Sequence, residues 1–174
     1  ETYLGVLIDD SQSMSIEDLA GGQSRQAAVE QQILTDGVLD VLAESFQIRS
    51  FRFDKNTQRI AGVEDLTEEG TTSSIDQALS YVDDQLNGLP LGGILVISDG
   101  EDNNDGDPIS IAQEFGARQI PIFTIGVGQE NIPQDIGIVD VSAAKTVLEG
   151  SVFSVQVAVN HQGYEGQEVE LAIM

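Results

Sequence analysis

The stretch "GGILVISDG", Gly92 to Gly100, decides the fold. Ile94 to Ile97 are four apolar residues in succession, and the run stops at Ser98 and Asp99. A half-buried strand would alternate apolar and polar residues, so an unbroken run predicts a strand covered on both faces, as in a parallel sheet. Upstream, Ile75, Leu79, Val82 and Leu86 fall on one side of a 3.6-residue period and predict an amphipathic helix. Ser73 or Ser74 can cap its start, and Asn87-Gly88 ends it. Downstream, Asp107-Pro108 is a cap followed by a first-turn proline, and Ile111, Ala112 and Phe115 give that helix an apolar face. "IPIFTIGVG" then reads as the next buried strand.

Near the start of the chain, Tyr3 to Ile8 is another short apolar strand, and Phe46 to Phe53 a third. Between them, Ser24 to Glu44 has helical spacing, with Val29, Ile33, Val38, Val41 and Leu42 toward one side; Gly37 weakens this helix without having to end it. Strands alternating with helices predict an α/β fold, a doubly wound, mostly parallel sheet between two helical layers. Ligands of such sheets bind beyond the carboxyl ends of the strands. That rule places Asp9 to Ser15 and Ser98 to Asn104 on one rim.

The pattern changes after about Gly137. "SVFSVQVAVN" puts Phe153, Val155, Val157 and Val159 on one face, "EVELAI" alternates again, and "HQGYEGQ", which holds His161, reads as the turn between them. The expected organisation is therefore a domain over 1–136 and the start of a second, β-rich, Ig-like domain over 137–174. About 35 residues are too few for a sandwich on their own. With no initiator Met, and with Glu1 directly before a strand, the chain reads as a piece of a longer protein.

Composition narrows the chemistry. Thirty acidic against 7 basic residues give a formal net charge of -23, which repels nucleic acid and favours cations or basic partners. The absence of cysteine removes disulfide, zinc-thiolate and thiol chemistry. The single histidine, in an expected turn, argues against Ser-His-Asp catalysis, and neither a G-x-S-x-G elbow nor a G-x-x-x-x-G-K-[ST] loop occurs. "EDNNDGD", Glu101 to Asp107, fails as a helix–loop–helix calcium loop: with Gly106 at position six, position twelve is Ala112 rather than Glu. It reads as a solvated acidic loop.

Three loops supply oxygen donors at the predicted rim. "LIDDSQSMS" carries Asp9, Ser11 and Ser13 at alternate positions, "ISDGEDN" brings Asp99, and "EGTTSSIDQAL" brings Thr72 and Ser73 before a helix. A set of hard oxygens without nitrogen or sulfur suits Mg²⁺, Mn²⁺ or Ca²⁺. Asp10 is expected to point away, as a solvated neighbour or as a group that supports a ligand from behind. Ser98 reads as strand-end geometry, and the serines alone could form an Asx-turn or a helix cap.

Asp9-x-Ser11-x-Ser13 resembles the DxSxS signature of von Willebrand factor type A (vWA) domains, and "LVISDGEDN" resembles the family's strand-end aspartate motif. The family's later-loop threonine is where the chain departs, because "SSIDQAL" puts Ser73 in that slot with Thr72 beside it. The resemblance covers roughly residues 2–128. It implies a metal-ion-dependent adhesion site in which Asp9, Ser11, Ser13, Ser73 or Thr72, and Asp99 hold a divalent cation, Mg²⁺ foremost. It further implies capture of a partner protein's Asp or Glu carboxylate, binding rather than catalysis. The sequence of domains is similar to that of bacterial membrane-anchored vWA proteins, which implies a cell-envelope setting, and the hairpin's open edges allow a dimer. The alternatives are a structural spacer with a vestigial site and, more distantly, a magnesium-dependent phosphatase. Ser at position 11 lacks the acid of an Asp-x-Asp phosphatase, and "TIGVGQE" lacks the lysine of a receiver domain.

Overall fold

The structure is a computed structural model that describes all residues except 36, 105, 130–134, 144, 145, 147–149, 151, 163, 165, 169, 173 and 174. The chain divides into two compact units, Glu1–Gly128 and Gln129–Met174.

The first unit holds a five-stranded sheet. In chain order its strands are β1 (Tyr3–Asp9), β2 (Gln47–Phe53), β3 (Thr57–Arg59), β4 (Leu91–Ser98) and β5 (Ile122–Gly126), arranged β3-β2-β1-β4-β5. Strands β2, β1, β4 and β5 run parallel, and β3 pairs antiparallel with β2. β1 and β4 lie in the middle, and Ile94 to Ile97 are buried as their continuous apolar run requires.

The two sheet faces build separate cores. Leu7, Ile94 and Val96 pack with Phe51 and Phe53 against α3 (Ile75–Gln85), through Leu79 and Val82, and against α4 (Pro108–Ala117), through Phe115. Val6, Ile8, Leu95 and Ile97 face the other way, toward Val29 and Ile33. This alternation follows from successive strand side chains pointing to opposite faces. Each such buried aliphatic or aromatic side chain contributes roughly 1.5–3 kcal/mol. α4 starts as the sequence predicts, the Asp107 carboxylate accepting from the Ser110 N–H with Pro108 in the first turn; Ser74 stands directly before α3, but its side chain makes no capping bond and its hydroxyl donates instead to Asp76 Oδ1 at 2.8 Å.

Two expectations need correction. The helix read over 24–44 is broken. α1 (Arg25–Val29) continues as a π-helical turn over Glu30–Thr35, and Gly37, at φ +87°, starts a separate helix α2 (Val38–Ala43). The wide turn and the left-handed glycine rotate the later residues off the earlier phase. Val29 and Ile33 are buried, whereas Val38 and Val41 are exposed at 41% and 66%. β5 is likewise no buried strand. It pairs with β4 alone, and Phe123 stands 57% exposed.

The second unit is an antiparallel pair, β6 (Asp135–Ala143) with β7 (Val155–Gln162). The expected pairing of the Phe153–Val159 stretch with "EVELAI" is absent among the described residues: 168 and 170–172 lie outside any strand, and 169 and 173 lie outside the described residues. β6 offers nine residues rich in Ile and Val to β7, whereas the later stretch is shorter and alternates with acids. His161 consequently sits in β7 opposite Ile136, not in a turn. Among the described residues, no helix is long and apolar enough to cross a membrane.

Candidate functional site

The carboxyl ends of β1 and β4 and the loop before α3 converge, as the topology requires. Asp9, the last residue of β1, is fully buried. Its Oδ1 accepts the Ser11 N–H at 3.0 Å, which folds the chain back immediately after the strand. A 3-10 turn over Gln12–Ser15 follows, anchored by the buried Met14 side chain in the second core. The turn brings the Ser11 and Ser13 hydroxyls within 2.8 Å of each other. On the far side, Ser73 donates its hydroxyl to Asp9 Oδ2 at 3.2 Å, and Ser98 donates to the same oxygen at 2.6 Å.

All the hydrogen-bond partners of Asp9 among the described residues are thus neutral. Burial pushes its pKa above 3.8, with the charge of nearby Asp99 adding to the rise and the bonds from Ser98 and Ser11 opposing it. A buried carboxylate without a cationic partner is costly, and a divalent cation among these oxygens would relieve that cost. The donor set fits a hard cation: one buried carboxylate, the hydroxyls of Ser11, Ser13 and Ser73, and a second carboxylate close enough to act on the first. Ser11, Ser13 and Ser73 of this set border a cleft of about 340 Å³ together with Thr72, Glu101 and Asn103, whereas neither Asp9 nor Asp99 lines it. Between the two candidates for the threonine slot, Ser73 is buried against Asp9, while Thr72 lines the cleft.

Asp99 is held differently. Arg25 Nη1 donates to its Oδ2 at 2.6 Å, and the Glu101 N–H donates to Oδ1 at 3.0 Å. The same guanidinium grips Asp18 through Nε and Nη2 and donates to the Ser13 carbonyl at 3.4 Å. The bonds and charges of Asp18 and Asp99 raise the Arg25 pKa further, against the effect of burial. Sequence reading missed Arg25 and Asp18, which no spacing ties to the motif. It also undervalued Ser98, whose position directly before Asp99 at a strand end was the available signal.

Asp10 points away from this cluster, but it is buried rather than solvated. It accepts from Arg52 Nη1 at 2.6 Å, from the Thr67 hydroxyl at 2.8 Å, and from the N–H groups of Thr67 and Glu68 at 2.6 and 2.8 Å. This ties the end of β1 to the loop that leads to Ser73. Gly70 completes the tie: its carbonyl accepts the Gln12 N–H at 2.7 Å and its N–H donates to the Asp10 carbonyl at 3.3 Å. A Cβ there would lie 2.3 Å from the Asp54 Cβ and 3.1 Å from the Asp10 carbonyl. Gly70→Ala is expected to lose about 1–3 kcal/mol in urea denaturation, because backbone on both sides must shift; an unchanged midpoint would contradict this packing.

Comparison with known proteins adds the following. The family model described as "von Willebrand factor type A domain" matches residues 40–160, a span that includes Ser73 and Asp99 and begins after the Asp9–Ser13 loop. A search of curated proteins finds no match. Among solved structures the chain is similar to proximal thread matrix protein 1 from the mussel byssus, at 18% identity and TM-score 0.56, over 75% of this chain and 38% of that one. A structure of the same mussel protein "with zinc occupied MIDAS motif" gives TM-score 0.51 at 18% identity, over 72% and 38% of the two chains. The manganese-loaded TRAP protein of Plasmodium vivax gives TM-score 0.52 at 18% identity, over 74% of this chain and 58% of that one. The chain therefore spans less than two thirds of each of these proteins. At such identity the likeness concerns the fold.

Proposed function

The chain belongs to the von Willebrand factor type A family, and on that premise we propose that it is a metal-dependent protein-binding module. The observation that carries this reading is the buried Asp9 carboxylate, whose partners are all neutral hydroxyl or amide groups. Asp9, Ser11, Ser13 and Ser73 would hold a divalent cation, with Asp99 beside them and Thr72 at the cleft wall. Mg²⁺ and Mn²⁺ suit these hard oxygens best, and Ca²⁺ is accommodated by the same chemistry. The manganese-loaded and the zinc-occupied similar proteins support a divalent site on this fold.

The bound cation supplies a Lewis-acidic grip on a carboxylate oxygen from outside. The protein's own residues shape that grip. Three hydroxyls are neutral donors, so they do not quench the ion's charge, and the cleft beside Ser11, Ser73 and Asn103 gives an Asp or Glu side chain a way in. A protein partner presenting such a carboxylate is the ligand, and the role is binding rather than catalysis. We further propose a cell-envelope setting with membrane anchoring, and a second copy docking on the exposed apolar residues of β6 and β7, such as Ile138 and Val159.

The test uses immobilised chain and short peptides that differ only in one Asp or Asn. Retention of the Asp peptide in Mn²⁺, its loss in chelator, and no retention of the Asn peptide are expected. Retention that ignores the chelator would favour the structural-spacer alternative.

A further inference from the structure

Arg25 touches the site through Asp99 and the Ser13 carbonyl without belonging to its oxygen set. It opens α1, directly after the cap Ser24. Its side chain is 12% exposed, and those of its partners Asp18 and Asp99 are 6% and 3% exposed. One face of the guanidinium is committed to Asp18, and the Nη1 corner reaches both Asp99 and the carbonyl of Ser13. The room for it comes from Gly128. At φ +100° this glycine lies so close that a Cβ would stand 2.7 Å from Arg25 Nε and 3.0 Å from Cζ. Four separate segments thus shape a slot that carries a fixed positive charge onto the strand-end aspartate.

We propose that Arg25 is a built-in competitor for Asp99. Its ion pair holds that carboxylate against a divalent cation at Asp9, lowers the site's affinity for the cation, and leaves Asp9 as the principal charged contact. The proposal rests on the metal-site reading above. The physical argument is electrostatic. A guanidinium in a largely buried setting repels an arriving cation, and it also offers Asp99 a charge-assisted bond that coordination would have to break or share. Asp18 moderates this, because it draws part of the guanidinium's charge away from Asp99. Arg25 is in this sense a positioning residue that sets how electrophilic the bound ion stays toward a partner carboxylate.

The two arms of the pair predict opposite shifts, which a merely structural role would not produce. Mn²⁺ affinity is measured by titration calorimetry on the chelator-treated chain. Arg25→Gln is expected to tighten binding at least about tenfold. Asp18→Asn is expected to weaken it several-fold, because the guanidinium then acts on Asp99 alone. A purely structural Arg25 would make both variants weaker by loosening the Ser11–Ser13 loop. Asp9→Ala is the control. If it binds Mn²⁺ as the unaltered chain does, the metal-site reading fails and takes this proposal with it. If Asp9→Ala loses binding while Arg25→Gln binds no tighter, only the role given to Arg25 is overturned. Should Arg25→Gln not fold, Asp18→Asn is read with its metal-free melting temperature: weaker Mn²⁺ binding at an unchanged melting temperature supports the competition, whereas unchanged or tighter binding, or weaker binding that follows a lowered melting temperature, overturns it.

Discussion

Asp10→Ala is expected to destabilise the first unit by about 3 kcal/mol, and to lower its melting temperature by roughly 10 °C. Asp10 is 1% exposed and accepts four hydrogen bonds, one of them from Arg52. Truncation strands the N–H groups of Thr67 and Glu68 and removes the counter-charge of Arg52. Arg52 keeps 22% of its side-chain exposure, so its loss is partly screened and the effect belongs near the lower end for a broken buried pair. Urea denaturation reads the change directly. A loss below about 1 kcal/mol would mean that water replaces the carboxylate and that the network only decorates the loop. The same variant should weaken divalent-cation binding, because the loop from Thr67 to Ser73 is tied to β1 through Asp10.

Asp9→Asn is expected to act in opposite directions with and without metal. In metal-free protein the raised Asp9 pKa means that the folded state takes up a proton above 3.8, where the unfolded chain has lost it. The contribution of Asp9 to stability is therefore present at low pH and is lost as pH rises through the raised value. Near neutral pH the ionised carboxylate is a cost that the amide removes, so the variant should be the more stable form in chelator. The gap should narrow as pH falls and close by about the ordinary carboxylate pKa. With Mg²⁺ the order inverts. At a free ion concentration roughly a hundred times Kd the unaltered chain gains about 2.7 kcal/mol, and the variant gains none of it. A metal-free variant less stable than the unaltered chain at neutral pH would show that the carboxylate is already satisfied by its hydroxyl partners.

The parts of this molecule that were legible in the sequence are those set by local pattern. The unbroken run Ile94 to Ile97 and the spacing of Ile75, Leu79, Val82 and Leu86 correspond to a two-sided strand and a one-sided helix. Asp107-Pro108 marks a helix start through the local chemistry of the cap. What escaped was set by partners distant in the chain. β5 carries the same apolar composition as β4, and only its place at the end of the sheet order exposes it. Gly37 was read as tolerable inside a helix, but a preceding π turn and a left-handed φ make it a break. β7 pairs with the strand before it rather than the stretch after it, a choice that alternation alone cannot make. At the site, the rule that ligands gather beyond strand ends puts Asp9, Ser11, Ser13 and Asp99 on one rim and the family resemblance adds Ser73; in the fold Ser11 lies against Ser13 and Ser73 against Asp9. The spacing of the motif gave no sign of Arg25, whose contact with Asp99 spans 74 residues. Nor did it foresee that Asp10 would be buried by Arg52.

Asp9 is proposed above as the anchor of a divalent-cation site. Its most direct test is a calorimetric titration of chelator-treated chain with Mn²⁺, run beside Asp9→Ala in about 0.15 M salt. The salt screens the loose attraction of a chain of net charge -23, so that a specific site stands out. One saturable site in the unaltered chain, and its loss in a variant that keeps its folded spectrum, are expected. Equal binding by both proteins would contradict that role, and would leave Asp9 a buried strand-end acid held only by its neighbouring hydroxyls.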